Sequence, residues 1–160
     1  MMETLGFIAH TIYFYLPSYF ANATPVVLGG GPPIDFGRNF LDGRRIFGSH
    51  KTIRGVAVGI LAGTLIGLIQ GRFLTGLLQS IGAMVGDLAT SFVKRRINLK
   101  PGAPLPVLDQ LGFLLGAVGF LWPVSPQPLG MVITILLVTP PIHLATNFVA
   151  FLLKLKSEPW

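Results

Sequence analysis

The sequence contains no cysteine, and only 11% of its 160 residues are charged. The missing thiols exclude a disulfide framework, thiolate catalysis and zinc–thiolate sites. The scarcity of charge excludes an ordinary soluble domain, because 12 basic and 6 acidic side chains cannot cover the surface of a chain this long. The chain is therefore expected to face lipid over much of its surface.

Long uncharged stretches replace the missing charge, and hydrophobic residues make up 51% of the chain. We predict an all-α, polytopic integral membrane protein with one domain over residues 1–160. Its five transmembrane helices are predicted at about 4–28, 55–71, 73–95, 107–122 and 129–153. The uncharged run from Gln110 to Leu153 holds two of them, because a single helix of that length would be about 66 Å long, twice the thickness of the hydrocarbon core.

Two polar loops, at about 29–54 and 96–106, lie on one side of this arrangement. Eleven of the 12 basic residues lie in these loops, beside them or in the C-terminal tail, where Lys154 and Lys156 are found, and only Arg72 lies opposite. The positive-inside rule then places the N-terminus outside and both loops and the C-terminus in the cytoplasm. We expect a multi-pass protein of the plasma membrane.

Glycine recurs every four residues through the second predicted span, at positions 55, 59, 63, 67 and 71. Such a ladder clears one stripe of a helix of side chains and lets neighbouring helices approach closely. It predicts a packing face.

Asp87 lies inside the third predicted span, in a stretch from Phe73 to Val93 that carries no other charge. A carboxylate at membrane depth costs roughly 3 kcal/mol or more and usually serves function. At helical spacing it shares a face with Ser91, Lys94 and Arg95, so an acid leads to cations at the cytoplasmic end. With Asp109 as a second carboxylate, this pattern predicts a Mg²⁺ site beside phosphate-binding cations.

Several alternatives stay open at this point. Asp87 could form a structural ion pair with a nearby lysine or arginine. It could also be the ion or proton site of a small transporter or channel, although the polar clusters lie on one side only. A structural assembly factor would leave both aspartates unexplained. His10 and His143 are expected to make polar contacts between helices, since convergent metal ligands are not apparent.

The motifs of the two loops resemble those of the CDP-diglyceride synthetases. The segment Ser91-Phe92-Val93-Lys94-Arg95, followed by Pro106 and Asp109, is similar to their Ser-x-x-Lys-Arg signature. His50-Lys51-Thr52-Ile53-Arg54-Gly55 is similar to their Lys-Lys-Thr-Trp-Glu-Gly element. Asp42-Gly43-Arg44-Arg45 and Asp109-Gln110-Leu111 look more like the short archaeal relatives, the CDP-archaeol synthases.

The resemblance implies a CTP-dependent cytidylyltransferase of membrane phospholipid biosynthesis. Its substrates would be CTP and an archaeal ether-lipid phosphate, unsaturated archaetidic acid, and its products CDP-archaeol and pyrophosphate, with Mg²⁺ as cofactor. Membrane lipids surround such an enzyme, a homo-oligomer is an open alternative, and nucleic acid is not an expected partner.

The same resemblance assigns roles to individual residues. Asp87 and Asp109 would hold the metal, and they would be catalytic together with Lys94. The residues expected to bind CTP are Asn22, Asp35, Asn39, His50, Lys51, Thr52, Ser91, Lys94 and Arg95, with Asn22, Asp35 and Asn39 near the cytosine or ribose. The lipid phosphate would bind Arg44, Arg45 and Arg96.

Four departures from the family pattern set this chain apart. Ala103-Pro104-Leu105-Pro106 stands where the signature has His-Gly-Gly. Gly112 occupies the position of the second aspartate, so Asp109 alone carries that metal role. Ile53 replaces the usual tryptophan, and His50 stands where the archaeal relatives more often have glycine. These differences argue against an enzyme of the diacylglycerol type.

Overall fold

The architecture comes from a computed structural model, which describes residues 2–100 and 103–155. Pro101 of the second predicted loop and Lys156 of the predicted cytoplasmic tail lie outside the described residues. The prediction of an all-α protein is confirmed: the described residues form five helices and no strand beyond two isolated bridges. The helices are α1 (Met2–Leu28), α2 (Ile53–Ile69), α3 (Phe73–Arg96), α4 (Leu108–Leu121) and α5 (Leu129–Leu152).

Local sequence sets where these helices begin and end. Thr52 caps α2, since its Oγ1 accepts a hydrogen bond from the Gly55 N–H at 3.0 Å. At the other end of α2, Gly71 adopts a φ of 70°, which a glycine tolerates without strain, and the chain turns directly into α3. Pro123, Pro126 and Pro128 occupy the turn between α4 and α5. These two turns are short, so α2 runs antiparallel to α3, and α4 to α5.

The glycine ladder of α2 is buried, as the sequence predicts, except for Gly71 in the turn. A Cβ at Gly59 would lie 2.7 Å from the Ala21 carbonyl oxygen of α1 and 2.7 Å from the Met84 sulfur of α3. The stripe thus lets α2 lie in van der Waals contact with two helices at once.

Helices α3 and α4 approach each other through a second set of glycines. Gly82 and Gly86 of α3 face Gly112 and Gly116 of α4, and a Cβ at Gly116 would lie 2.8 Å from Gly86 Cα. Phe113, Leu114 and Ala117, which are buried, complete the interface on the α4 side. This contact fixes the axial register of the two helices that carry Asp87 and Asp109.

Pro17 interrupts the hydrogen-bond ladder of α1, and a neighbouring helix end compensates for it. Proline has no N–H, so the Tyr13 carbonyl loses its usual partner one turn earlier. The Gln70 side-chain amide donates to that carbonyl at 2.6 Å. Backbone polar groups in a membrane need such internal partners.

Helix α5 is buried against the bundle only in its first half. Its buried residues are Met131, Ile135 and Thr139, all before Pro140, and the Tyr19 hydroxyl of α1 lies 2.6 Å from Thr139 Oγ1. By length and composition, α3 and α5 are the two described helices able to cross a membrane, and α2 and α4 are shorter apolar helices.

We expect Gly63→Ala to destabilise the fold. Its Cβ would press on the Pro17 carbonyl oxygen and lie 3.1 Å from Ala21 Cβ, and overpacking of this kind costs about 1–3 kcal/mol. Thermal unfolding of the detergent-purified protein, followed by circular dichroism, measures the change. Gly119→Ala on α4 is the matched control, because nothing lies within 4 Å of its added Cβ. Equal melting temperatures for the two variants would contradict the packing interpretation.

Candidate active site

The first polar loop is built around the carboxylate of Asp35. This side chain is buried and accepts five hydrogen bonds from groups within the loop. Arg45 donates two of them, from Nε at 3.2 Å and Nη2 at 2.5 Å, and the backbone N–H groups of Gly37, Phe47 and Gly48 donate the others at 2.9–3.0 Å. A carboxylate with this many partners stabilises the conformation of the loop.

The same contacts set the ionisation of the pair. Burial opposes the charged form of Asp35, but the hydrogen bonds from Arg45 and from the backbone outweigh it and hold the pKa of the carboxyl well below its ordinary value. The bond to Asp35 in turn raises the pKa of Arg45. Both groups are therefore charged and engaged with each other.

Arg96 fastens the middle of this loop to the end of α3. The Asn39–Arg45 bridge closes a tight hairpin, and Arg96 Nη2 donates to the Arg44 and Arg45 carbonyl oxygens at 3.3 and 2.5 Å. Arg44 returns a hydrogen bond to the Arg96 carbonyl oxygen, and Arg96 Nε lies 3.1 Å from an Asp42 carboxylate oxygen.

Two aromatic rings also contact the guanidinium group of Arg96. Its guanidinium carbon lies 5.1 Å from the ring centre of Phe40 in the loop and 4.5 Å from that of Phe92 on α3. The rings themselves meet edge to face at 5.1 Å. Stacking between a guanidinium and aromatic faces stabilises such an arrangement beyond its hydrogen bonds.

The C-terminal end of the first loop places Lys51 beside Asp87. Lys51 Nζ lies 2.7 and 2.6 Å from the two Asp87 carboxylate oxygens, and both side chains are 28% exposed. Asp87 thus has the lysine partner that the ion-pair alternative requires, and the pair is only partly buried.

A second pair of the same kind joins α3 to α4. Lys94 Nζ lies 2.9 and 2.8 Å from the two oxygens of Asp109, which also accepts from the Leu105 N–H at 2.7 Å. The Asp109 side chain is 29% exposed. Leu105 lies in the segment that replaces His-Gly-Gly, so a backbone amide orients Asp109.

The glycine contact between α3 and α4 brings the two carboxylates close in depth. Asp87 directly follows Gly86, which faces Gly112, and Asp109 lies three residues before Gly112. Thr90, one turn after Gly86, donates to the carbonyl of residue 108 at 3.4 Å. Asp87 therefore lies about two residues, roughly 3 Å along the helix axis, deeper in the bundle than Asp109.

The aspartate carboxylates of this site suit a divalent cation that keeps several of its coordination positions for other ligands. Residues 2–100 and 103–155 contain no cluster of three or more histidine, aspartate or glutamate side chains able to hold a metal. Two carboxylates are available, and each now carries a lysine ammonium group across both of its oxygens. Magnesium is commonly bound by one or two carboxylates with water and substrate phosphates in the remaining positions, so the residues fit Mg²⁺ bound together with a nucleotide.

Arg95 adds a buried cation to this group. It is 7% exposed, Nη2 donates to the Lys100 carbonyl at 3.1 Å, and Nε has no hydrogen-bond partner within the described part of the chain. Gly48 makes room for it, because a Cβ there would lie 3.4 Å from Arg95 Nη1. A buried guanidinium with an open donor is suited to an anionic ligand.

The remaining predicted site residues fall into two groups. Thr52, whose hydroxyl caps α2, and Ser91, one turn from Asp87 and Arg95 on α3, are buried. Asn39 and His50 are exposed on the loop, and Asn22 is half-buried near the end of α1.

Sequence reasoning missed the internal pairing of the first loop. It placed Asp35 near the nucleotide and Arg45 and Arg96 at the lipid phosphate, whereas the structure engages all three within the loop. A partial signal exists, since Asp35, Gly37, Gly43 and Gly48 form a pattern of turns that needs an anchor. The partner of each aspartate depends on tertiary contact and has no local signature.

Comparison with known proteins gives consistent matches over the whole chain. A family model described as CarS-like, CDP-archaeol synthase, matches residues 4–75 and 71–160. The CDP-archaeol synthase of Pyrococcus furiosus is 50% identical over 96% of this chain and 98% of its own length. That of Thermococcus kodakarensis is 45% identical over 99% and 100%, and that of Methanocaldococcus jannaschii is 42% identical over 94% and 96%.

One solved structure is also similar, that of an intramembrane enzyme for archaeal membrane lipids biosynthesis. It has a TM-score of 0.77 and 39% sequence identity, and the match covers 88% of this chain and 94% of the other. Likeness at this level of identity extends to the fold as a whole.

We expect Asp35→Asn to loosen the first loop. The change removes the charge from a buried acceptor of five hydrogen bonds and leaves Arg45 without its partner, at a cost of about 2 kcal/mol or more in local stability. Hydrogen exchange of residues 34–48, read by mass spectrometry, measures the opening. Asp42→Asn is the control, because its ion pair with Arg96 is more exposed and such pairs contribute about 1 kcal/mol or less. Equal exchange in both variants would remove Asp35 from its anchoring role.

Proposed function

The chain belongs to the CDP-archaeol synthase family, and from this premise we infer that it transfers CMP from CTP to an archaeal ether-lipid phosphate. The products are CDP-archaeol and pyrophosphate, and unsaturated archaetidic acid is the lipid substrate that we propose. The observation that carries this function is the pair of carboxylates on facing helices, each held by a lysine.

We propose that all five helices cross the plasma membrane, with the N-terminus outside. The C-terminal ends of α1, α3 and α5 and the first turns of α2 and α4 then lie on the cytoplasmic side, where CTP is available. The concentration of basic residues at this end supports the orientation. The substrate lipid stays in the bilayer while its phosphate reaches this surface.

Asp87 and Asp109 are the residues that would hold Mg²⁺. The bound cation would neutralise charge on the triphosphate and favour departure of pyrophosphate. The two aspartates come from different helices, so the α3–α4 contact presents both to one nucleotide. Lys51 and Lys94 balance the two negative charges in the substrate-free protein, where uncompensated carboxylates at this depth would be costly.

The two lysines have a second use once CTP is present. Each ammonium group can leave its carboxylate for a phosphate oxygen, so binding of nucleotide frees the aspartates as it engages the lysines. Arg95, with its open Nε, is placed to bind the same triphosphate. Ser91 lies between these groups on α3 and completes the polar face.

The reaction then depends mainly on position and charge. An oxygen of the lipid phosphate attacks the α-phosphorus of CTP, the new P–O bond forms, and the bond to the β-phosphate oxygen breaks. Negative charge develops on the leaving pyrophosphate, and Lys51, Lys94 and Arg95 stabilise it by hydrogen bonding. Little proton transfer is needed, because a phosphate monoester is already anionic.

The residues of the first loop take supporting roles in this proposal. Asp35, Arg44, Arg45 and Arg96 shape the loop, and Thr52 caps α2 beside Lys51. Asn39 and His50 are exposed on the same surface, and Asn22 approaches it from α1, so these three remain candidates for contact with the base or ribose.

A small transporter or channel is the alternative function, with Asp87 as its ion or proton site. The family membership of the chain favours the enzyme. The Lys51 contact also gives Asp87 a partner of opposite charge, which an ion pathway does not require.

A direct assay separates the enzyme from the transporter: detergent-purified protein with labelled CTP, Mg²⁺ and archaetidic acid should form lipid-linked cytidine and pyrophosphate. Absence of both products with every lipid phosphate tried would refute the enzymatic function.

We predict that Asp87→Asn reduces turnover by roughly a thousandfold or more without unfolding the protein, as expected when charge stabilisation in a transition state is lost. Lipid-linked cytidine is measured in the assay above, and circular dichroism checks the helix content. Glu3→Gln, an exposed acidic residue at the start of α1, is the control and should keep full activity. Retained activity in Asp87→Asn would remove Asp87 from the metal site.

Exchange of lysine partners makes a separate prediction about binding. Lys51→Met should weaken the binding of CTP by about tenfold, because a charge-assisted hydrogen bond is lost. The same change should tighten the binding of Mn²⁺ in the absence of nucleotide, because Asp87 then has no lysine partner. Calorimetry measures the affinity for CTP, and electron paramagnetic resonance measures the concentration of free Mn²⁺. Lys100→Met, at an exposed loop lysine, is the control. If Mn²⁺ binding without CTP were unchanged in Lys51→Met, Lys51 would not compete with the metal.

A further inference from the structure

The face of α5 that turns towards the bundle changes character at Pro140. Residues at four-residue spacing along this face are Met131, Ile135, Thr139, His143 and Asn147. The first three are buried, whereas His143 and Asn147 are half-buried and polar. The stripe that packs against protein in the first half of α5 thus continues into the second half as a polar surface that the bundle covers only in part.

These two polar residues contact each other, and His143 also contacts the neighbouring helix. Asn147 Nδ2 lies 3.1 Å from His143 Nδ1, and the His143 ring stacks on Phe113 of α4 with ring centres 6.3 Å apart and an angle of 26°. Phe113 in turn meets Tyr19 of α1 at 5.7 Å. Packing therefore fixes the His143 ring at the junction of α1, α4 and α5.

The pair lies at the depth of the two carboxylates. Helices α4 and α5 run antiparallel, and Phe113 is level with His143. Four residues earlier on α4 is Asp109, and four residues later on α5 is Asn147, so these two residues lie at the same level. Beyond Pro140 no described residue of α5 is buried, which leaves this level open towards the bilayer.

We propose that His143 and Asn147 bind the phosphate headgroup of the lipid substrate as it enters from the bilayer between α4 and the second half of α5. The inference rests on the function proposed above and names a part of its site. A lipid phosphate has to reach the α-phosphorus of CTP beside Asp109 while its chains stay in the membrane. Arg44, Arg45 and Arg96 are engaged within the first loop, whereas an imidazole and a carboxamide at the edge of the bilayer can donate hydrogen bonds to phosphate oxygens.

Steady-state kinetics with two variants test the proposal. His143→Phe keeps a ring on Phe113 and removes the nitrogen atoms, and Asn147→Leu removes the amide at similar volume. Each should raise the KM for the lipid phosphate by about tenfold or more, as loss of a hydrogen bond to a charged group predicts, and leave the Kd for CTP, from calorimetry, within about twofold of wild type. Thr146→Val is the matched control, because this exposed neighbour bonds only its own helix in the contacts described.

Each outcome has a defined meaning. A selective rise in the lipid KM in both variants, with Thr146→Val unchanged, supports the proposal. Unchanged lipid KM in either correctly folded variant, or an equal loss of CTP affinity, overturns it and leaves the cytidylyltransferase function standing. An inactive wild-type protein would instead refute that function. If His143→Phe does not fold, Asn147→Leu and direct binding of a short-chain fluorescent lipid phosphate decide the matter.

Discussion

The close contact between α3 and α4 is the constraint on which the site depends. Because Gly82 and Gly86 meet Gly112 and Gly116 without intervening side chains, the two helices lie backbone to backbone. Asp87 and Asp109 come next to this contact on either helix, so their spacing follows from it. Any residue larger than glycine there would separate the carboxylates as well as the helices.

The membrane explains why the carboxylates are paired with lysines. A lone carboxylate at this depth is expensive, and an ion pair with both oxygens engaged lowers that cost. The pairs are also partly open to solvent, with side-chain exposures of 28% for both members of the Lys51–Asp87 pair. Each carboxylate is therefore compensated in charge while it remains only partly buried.

Sequence patterns predicted the helices well, because the uncharged runs, the glycine ladder and the proline turns each act locally. The buried glycine stripe of α2 was predicted in this way. So were the places of Asp87 and Asp109 along α3 and α4. The partners of charged residues were harder to predict. Asp35 and Arg45 lie ten residues apart in an irregular loop, and the pairing of Lys51 with Asp87 joins elements 36 residues apart. No periodicity encodes such contacts, since they arise only when the loop folds onto the end of α3.

The central claim is that Asp87 and Asp109 hold one metal ion together with the nucleotide. Crystals grown with Mn²⁺ and a non-hydrolysable CTP analogue test it directly through the anomalous signal of manganese. The account predicts a peak at coordination distance, about 2–2.5 Å, from a carboxylate oxygen of each aspartate, with Lys51 and Lys94 turned towards the phosphates. A Mn²⁺ ion bound to the nucleotide but to neither aspartate, or with both lysines still on their carboxylates, would contradict it.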